Sequence, residues 1–150
     1  MKPASIVLFG RLWVLSIVAT LANAWITRQR VQAMLEANPQ SAPVAHFALP
    51  GWTGLVLLVS LMLWYLVGRH SLTAKWAVLL VAIASGGRGL ITLVNLLGAE
   101  HRHPVSSSLM LACTLLTIAA AAMLFRPDAR DWFGEDGAEE PMPAHPDARA

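Results

Sequence analysis

"WAVLLVAIASGGRGLITLVNLL", residues 76–97, is 22 residues long and carries a single ionisable side chain, that of Arg88. A helix needs roughly 20 mainly apolar residues to cross the hydrocarbon core of a bilayer. A backbone in lipid must also satisfy its hydrogen bonds within its own segment, which favours helix over any open structure. The stretch therefore predicts a membrane-spanning helix.

Three further stretches have the same character: 6–26, 51–68 and 105–125. Of the 150 residues, 56% are hydrophobic and 13% are charged, against roughly 25% charged in a soluble domain. The fold class is therefore predicted to be all-α, a four-helix transmembrane bundle over residues 1–133. The first helix should continue beyond the membrane and stop at Asn38-Pro39, whereas Pro43 and Pro50 predict extended or turned chain before the second.

The chain ends in residues 134–150, which are acidic, rich in proline and free of aromatic side chains. Such a segment cannot bury enough apolar surface to order itself, so a disordered tail is expected. Trp132 and Phe133, just before it, are expected to dock back at the membrane interface.

The distribution of Lys and Arg predicts the orientation, because basic residues concentrate in cytoplasmic loops. One arrangement puts Lys2, Arg11, Arg69, Lys75, Arg126, Arg130 and Arg149 on one side and Arg28, Arg30 and Arg102 on the other. The first side is then the cytoplasmic one, with both termini and the tail.

The N-terminus also has features of a secretory signal, with Ala22-Asn23-Ala24 as a small-x-small cleavage site. Cleavage would remove residues 1–24 and leave three spans. Against this, the apolar run starts at Ile6, before Arg11, is long for a signal, and the bulky Trp25 would follow the cut. The sequence favours an uncleaved first span and leaves the alternative open.

Polar residues form a matching stripe on two of the spans. Arg88, Thr92 and Asn95 are spaced four and three apart, and Ser16, Thr20 and Asn23 repeat this spacing. Each set shares one helical face, and polar faces of spanning helices usually point into the bundle. The pattern predicts a polar seam between helices one and three, and these six residues are the candidate ligand-binding set. The fourth helix can join this seam through Ser106, Thr114, Thr117 and Ala121.

Arg88 has two interpretations. It lies about 18 Å along the helix from Trp76, near the middle of a core about 30 Å thick, and no Asp or Glu occurs in any span. Either neighbouring helices or another subunit satisfy the guanidinium, or it binds an anionic ligand or lipid headgroup.

The glycines beside Arg88 also have two interpretations. Gly86 and Gly89 follow Ala82 and Ser85 at a spacing of four, which is typical of closely packed helices. Alternatively, Gly86, Gly87 and Gly89 break the helix and expose its half-ends to a ligand.

The sequence gives little support to a disulfide, proton-coupled export, haem binding or a metal site. The sole cysteine, Cys113, excludes an internal disulfide, and no span carries the carboxylate or histidine that proton-coupled export or haem binding would need. His101 and His103 are a weak alternative for a metal site, since His-x-His is not diagnostic. We expect no enzymatic activity, no cofactor and no nucleic-acid partner.

The segment "MLFRPDARDWF", residues 123–133, resembles the end of small uncharacterised bacterial inner-membrane proteins with four spans, which finish in Phe-x-Pro and then Arg-x-Trp-Phe. The resemblance implies a location in the bacterial cytoplasmic membrane and carries no functional residue. The leading functional prediction is a non-enzymatic accessory or scaffold protein that contacts membrane lipids and either itself or another membrane protein. The alternative is a small transporter or a binding protein for an anionic ligand or lipid headgroup, using Arg88.

Overall fold

The computed structural model describes residues 2–98 and 104–134, and these residues are helical apart from short connections. The elements in chain order are α1 (Ala4–Ala37), a 3₁₀ turn (Ala42–Val44), α2 (Ala45–Gly68), α3 (Leu72–Leu97), α4 (Pro104–Met123) and α5 (Pro127–Phe133). The described part of the chain contains no β-strand.

The four long helices are each long and apolar enough to cross a membrane, so the chain is a multi-pass integral membrane protein. This confirms the predicted all-helical bundle. The first helix is also as long as predicted: its 34 residues extend about 50 Å at 1.5 Å per residue, well beyond a hydrocarbon core of about 30 Å.

Two helix boundaries differ from the prediction. The segment before Gly51 was expected to be extended or turned, but α2 starts at Ala45 and contains Pro50. A proline in the second turn removes only one N–H donor, which leaves the carbonyl of His46 without its helical partner. At the other end, α4 stops at Met123 and Pro127 opens a separate short helix, α5.

The neighbours of each helix are set by α4. Both α1 and α3 pack along α4 and have little direct contact with each other, while α2 packs mainly on α1. The predicted direct seam between helices one and three is therefore wrong. Sequence periodicity identified the polar faces, but α4 lies between the two helices.

The buried apolar residues gather towards one end of the bundle, where the N-terminus, the α2–α3 turn and α5 meet. We call this the closed half. Its core consists of Ile6, Phe9, Trp13, Leu63, Val67, Ala74, Val78, Ala82, Ala120, Ala121, Leu124, Ala129 and Phe133. The ring centroids of Phe9 and Trp13 are 5.5 Å apart, and the Trp13 indole N–H donates to the Ser60 carbonyl at 2.9 Å.

The short helix α5 covers the end of this core, and Trp132 and Phe133 dock back onto the bundle there; their predicted place at the membrane interface stays a prediction. The Trp132 indole N–H donates to the Val67 carbonyl at 3.2 Å, and its ring stacks on His70 with centroids 3.8 Å apart. Phe133 is buried and lies 5.4 Å from the ammonium of Lys75. The Ser5 backbone N–H donates to the Asp128 carboxylate at 3.1 Å, which ties α5 to the start of α1.

The rest of the bundle, towards the connection at residues 38–44, is the open half. No residue of α2 between positions 46 and 62 is buried. Since α2 runs the length of the bundle but packs closely only near its two ends, it leaves a space between itself and the other helices.

The first helix runs without interruption through Ala22-Asn23-Ala24. Removal of residues 1–24 would take Phe9 and Trp13 out of the core of the closed half. The predicted disordered tail, beyond Gly134, lies outside the described residues.

Candidate functional site: a cavity around Arg88

The space in the open half is a cavity of about 380 Å³. It is bounded by α1, α2 and α3, and α4 adds Thr117 to its wall. About half of the lining side chains are apolar, among them Ile17, Leu57 and Val81. Its volume is within the range of small-molecule sites, about 300–1,000 Å³.

A second, smaller cavity of about 110 Å³ lies between α1, α3 and α4. It shares five residues with the larger one, and all five are polar. We call them the Arg88 cluster: Thr20, Asn23, Ser85, Arg88 and Thr117. Three helices thus bring their polar side chains to the boundary between the two cavities.

Arg88 is exposed within this space. Its guanidinium has no hydrogen-bond or ion-pair partner among residues 2–98 and 104–134. An arginine at this depth costs about 2.5–3.5 kcal/mol on insertion scales. The first interpretation of Arg88, a guanidinium satisfied by neighbouring helices, therefore has no contact to support it within these ranges.

The threonines of the cluster have already used their donors. The Thr20 hydroxyl donates to the Ser16 carbonyl and the Thr117 hydroxyl to the Cys113 carbonyl, both at 2.8 Å. Their oxygens can only accept further bonds, since a hydroxyl has one proton. They therefore have no hydrogen-bond donor left for an anion.

The donors that remain belong to Arg88, Asn23 and Ser85. The Asn23 Oδ1 accepts a bond from the Ser106 hydroxyl at 3.3 Å, while its amide nitrogen has no acceptor in the described structure. The Ser85 hydroxyl is likewise unpaired there. No carboxylate lines either cavity, so the cluster presents one positive charge and two neutral donors.

Of the glycines around Arg88, Gly89 is required by helix packing, Gly86 faces α4 at ordinary contact distance, and Gly87 has no neighbour within 4 Å. Helix α3 is continuous from Leu72 to Leu97, so the broken-helix interpretation is wrong. A Cβ at Gly89 would lie 2.6 Å from Cγ2 of Thr114, and one at Gly86 would lie 3.7 Å from Cδ1 of Ile118. The close approach of α4 at Gly89 holds the Thr117 turn of α4 beside Arg88.

The structure brings together four of the six predicted site residues. Arg88, Thr20 and Asn23 line both cavities, and Ser16 lines the larger one. Thr92 instead contacts α4, where its hydroxyl lies 3.4 Å from the Met110 sulfur. Asn95 is exposed and lines neither cavity.

Two members of the cluster were missing from the predicted set. Ser85 lies three residues before Arg88, on the same face but towards the helix N-terminus. Helical side chains lean in that direction, which is a signal that could have favoured Ser85 over Asn95. Thr117 had been expected only to join an interface between helices.

Comparison with known proteins found no matching family model, no similar curated protein and no similar solved structure. The resemblance of residues 123–133 to four-span inner-membrane proteins therefore stays a prediction. Within the described ranges no group of three or more His, Cys, Asp or Glu side chains could hold a metal. His101 and His103 lie outside those ranges.

Proposed function

We propose that the protein binds an anionic amphiphile within the membrane, with the acid group on Arg88 and the hydrocarbon part in the larger cavity. The observation that carries this proposal is the unpaired guanidinium of Arg88, exposed to a space of about 380 Å³. An anion there would form charge-assisted hydrogen bonds, which are stronger than neutral ones.

An amphiphile fits better than an inorganic anion because the walls have two kinds of surface. The acid group would meet Arg88, the Asn23 amide and the Ser85 hydroxyl. Further along, Ile17, Leu57 and Val81 offer apolar contact. Since α2 packs loosely over this region, a ligand already dissolved in the bilayer could reach the cavity without crossing an aqueous phase.

The proposal is tested by titrating the purified protein in neutral-lipid nanodiscs with laurate and with dodecanol, which has the same chain and no charge. Binding is followed by the fluorescence of Trp13 and Trp52, which line the cavity. Laurate should bind and dodecanol should bind much more weakly. The substitution Arg88→Gln should weaken laurate binding about 10- to 100-fold, the usual value of hydrogen bonds to a charged group.

Three further variants sharpen this test. Arg30→Gln removes an exposed arginine of α1 that lines neither this cavity nor any other described cavity, and should leave laurate affinity unchanged. Ser85→Ala should reduce affinity a few-fold, whereas Thr20→Ala should not, because the Thr20 proton is already donated to Ser16. Equal binding of laurate and dodecanol, or unchanged laurate affinity in Arg88→Gln, would contradict the proposal.

The accessory or scaffold function predicted from the sequence has weaker support. It relied on a closely packed polar seam between helices one and three and on an acidic tail available to a partner. Those two helices have little direct contact, and the tail lies outside the described residues. The accessory or scaffold function remains a prediction, as do self-association, a protein partner and the absence of enzymatic activity.

We also propose that the closed half faces the cytoplasm, in the inner membrane of a bacterium. Lys2, Arg69, Lys75, Arg126 and Arg130 all belong to the closed end, whereas Arg28 and Arg30 lie at the open end. This distribution matches the usual excess of basic residues on the cytoplasmic side. In a Cys113→Ser background, Gln40→Cys should react with a membrane-impermeant maleimide on intact cells, and Thr73→Cys should react only after lysis. The reverse pattern would overturn the orientation.

A further inference from the structure

A large groove lies on the outside of the closed half, between α1 and α2. Its volume is about 760 Å³, and its walls are mostly apolar, with Val14 and Val18 along α1. Three cations line it, Lys2, Arg11 and Arg69, and no carboxylate does. It is separate from the Arg88 cavities, which lie further along the helices and share none of these cations.

The three cations converge towards one level of the membrane. Lys2 precedes α1 and Arg69 follows α2, so both are at the closed end of the groove. Arg11 is seven residues into α1, about 10 Å along the axis. Because helical side chains lean towards the helix N-terminus and long basic ones reach for the interface, we expect the Arg11 guanidinium to reach towards the same end.

The groove also holds a spare hydrogen-bond donor. A Cβ on Gly10 would lie only 3.3 Å from the indole nitrogen of Trp64, so the glycine allows that ring to lie against α1. The Trp64 N–H has no acceptor within the described part of the chain. It lies five residues before Arg69, about 7.5 Å deeper along α2, at the depth where a lipid's ester carbonyl would follow its phosphate.

We infer that this groove is a binding site for an anionic phospholipid of the surrounding leaflet. The phosphate lies among Lys2, Arg11 and Arg69, the Trp64 N–H donates to the glycerol ester region, and an acyl chain follows Val14 and Val18. At this depth the occupant has to come from the bilayer itself. Three positive charges without a carboxylate select a negative headgroup, as basic clusters at membrane surfaces do.

The test is native mass spectrometry of the protein released from nanodiscs that contain equal amounts of phosphatidylglycerol and phosphatidylcholine with identical acyl chains. The wild type should retain phosphatidylglycerol preferentially. The preference should fall about five-fold for each charge removed in Arg11→Gln and Arg69→Gln, in line with about 1 kcal/mol per basic residue near the surface. Arg28→Gln, at the open end, is the matched control and should keep the full preference.

A second variant distinguishes the contribution of the groove's free volume to lipid retention from that of its three cations. Val14 is 45% exposed, so Val14→Trp should fold normally, fill the groove and reduce retention of both lipids with all cations in place. In an Arg88→Leu background, the Arg11→Gln/Arg69→Gln substitutions should reduce the preference for phosphatidylglycerol by the same factor as in the wild type, which distinguishes this site from that of the proposed cavity ligand. Equal retention of the two lipids, or an unchanged preference in the Arg11→Gln/Arg69→Gln double variant, would overturn the inference. So would a dimer mass that disappears in Val14→Trp, because a second copy would then occupy the groove.

Discussion

The closed and open halves of this bundle differ in how closely their helices pack and in how many of their polar groups are paired. In the closed half, the indole N–H groups of Trp13 and Trp132 are paired with backbone carbonyls of α2, and Phe9, Val78 and Leu124 are almost completely buried. In the open half, α2 buries nothing between positions 46 and 62, and Arg88 has no partner in the described residues. Lipid is as apolar as leucine, so helices in a membrane associate through packing and hydrogen bonds. Concentrating these contacts in one half leaves the other available for a ligand.

The largest expected effect comes from deleting a ring in the closed half. Phe9 is 1% exposed, and Phe9→Ala should lower the free energy of unfolding by about 2–3 kcal/mol. This is less than the ~3–5 kcal/mol typical of soluble cores, because lipid solvates the ring and only the lost packing remains. Leu57→Ala, in the cavity wall, should change it by less than about 0.5 kcal/mol. SDS titration of both variants in mixed micelles measures the difference, and equal losses would show that the two halves are packed alike.

The next effect concerns the α3–α4 contact beside Arg88. Gly89→Ala would bring a methyl group within 2.6 Å of Thr114 Cγ2 and should cost about 1–2 kcal/mol by overpacking. Gly87→Ala, where nothing lies within 4 Å, is the matched control and should be neutral. Adding Thr114→Ser, which removes the clashing methyl, should restore part of the loss in the same SDS titration. Failure of this rescue would mean that the helices separate there at little cost.

Much of the fold could be predicted from the sequence because spanning helices have a simple requirement. The four apolar stretches and the stop of α1 near Asn38 follow from length and composition. Which helices lie next to one another does not follow from length and composition. Every face of a helix in lipid can be apolar, so periodicity said little about whether α1 would meet α3 or α4. The start of α2 was missed because Pro50 was taken as a barrier, whereas α2 continues through it despite the lost hydrogen bond and the contact of the ring with the His46 carbonyl.

The candidate site was predictable in part for the same reason. Arg88, Thr20 and Asn23 share a cavity because polar groups in a bundle avoid acyl chains. Thr92 and Asn95 were predicted to join them only because they lie on the same face of α3. In the structure, Met110 of α4 covers Thr92. The cavity itself depends on the loose packing of α2, which no residue pattern in α2 indicates.

A smaller effect is expected from a single hydrogen bond of the closed half. Trp13→Phe keeps an aromatic ring in the core but removes the bond to the Ser60 carbonyl, so the free energy of unfolding should fall by about 1 kcal/mol. Trp52 is 63% exposed and its indole has no acceptor in the described structure, so Trp52→Phe should have no effect. SDS titration compares the pair, and an equal loss in Trp52→Phe would indicate that the open half is more ordered than its contacts imply.

The smallest expected effect is local, at the outer edge of the closed half. The Ser5 backbone N–H, bonded to the Asp128 carboxylate, holds the pKa of Asp128 below its ordinary value. A carboxyl whose pKa is lower in the docked state stabilises docking above its ordinary pKa of about 3.9, and this contribution is lost as pH falls through the docked value. Amides of α5, residues 129–133, should therefore exchange faster below about pH 4, after correction for intrinsic rates. Asp128→Asn should abolish this pH dependence, and a His70→Gln background removes the imidazole that contacts the Trp132 carbonyl.

Because α5 covers only the end of the core, stability measured for the whole bundle should hardly change. A global loss of stability in acid that Asp128→Asn prevents would instead show that the closed half depends on α5 throughout.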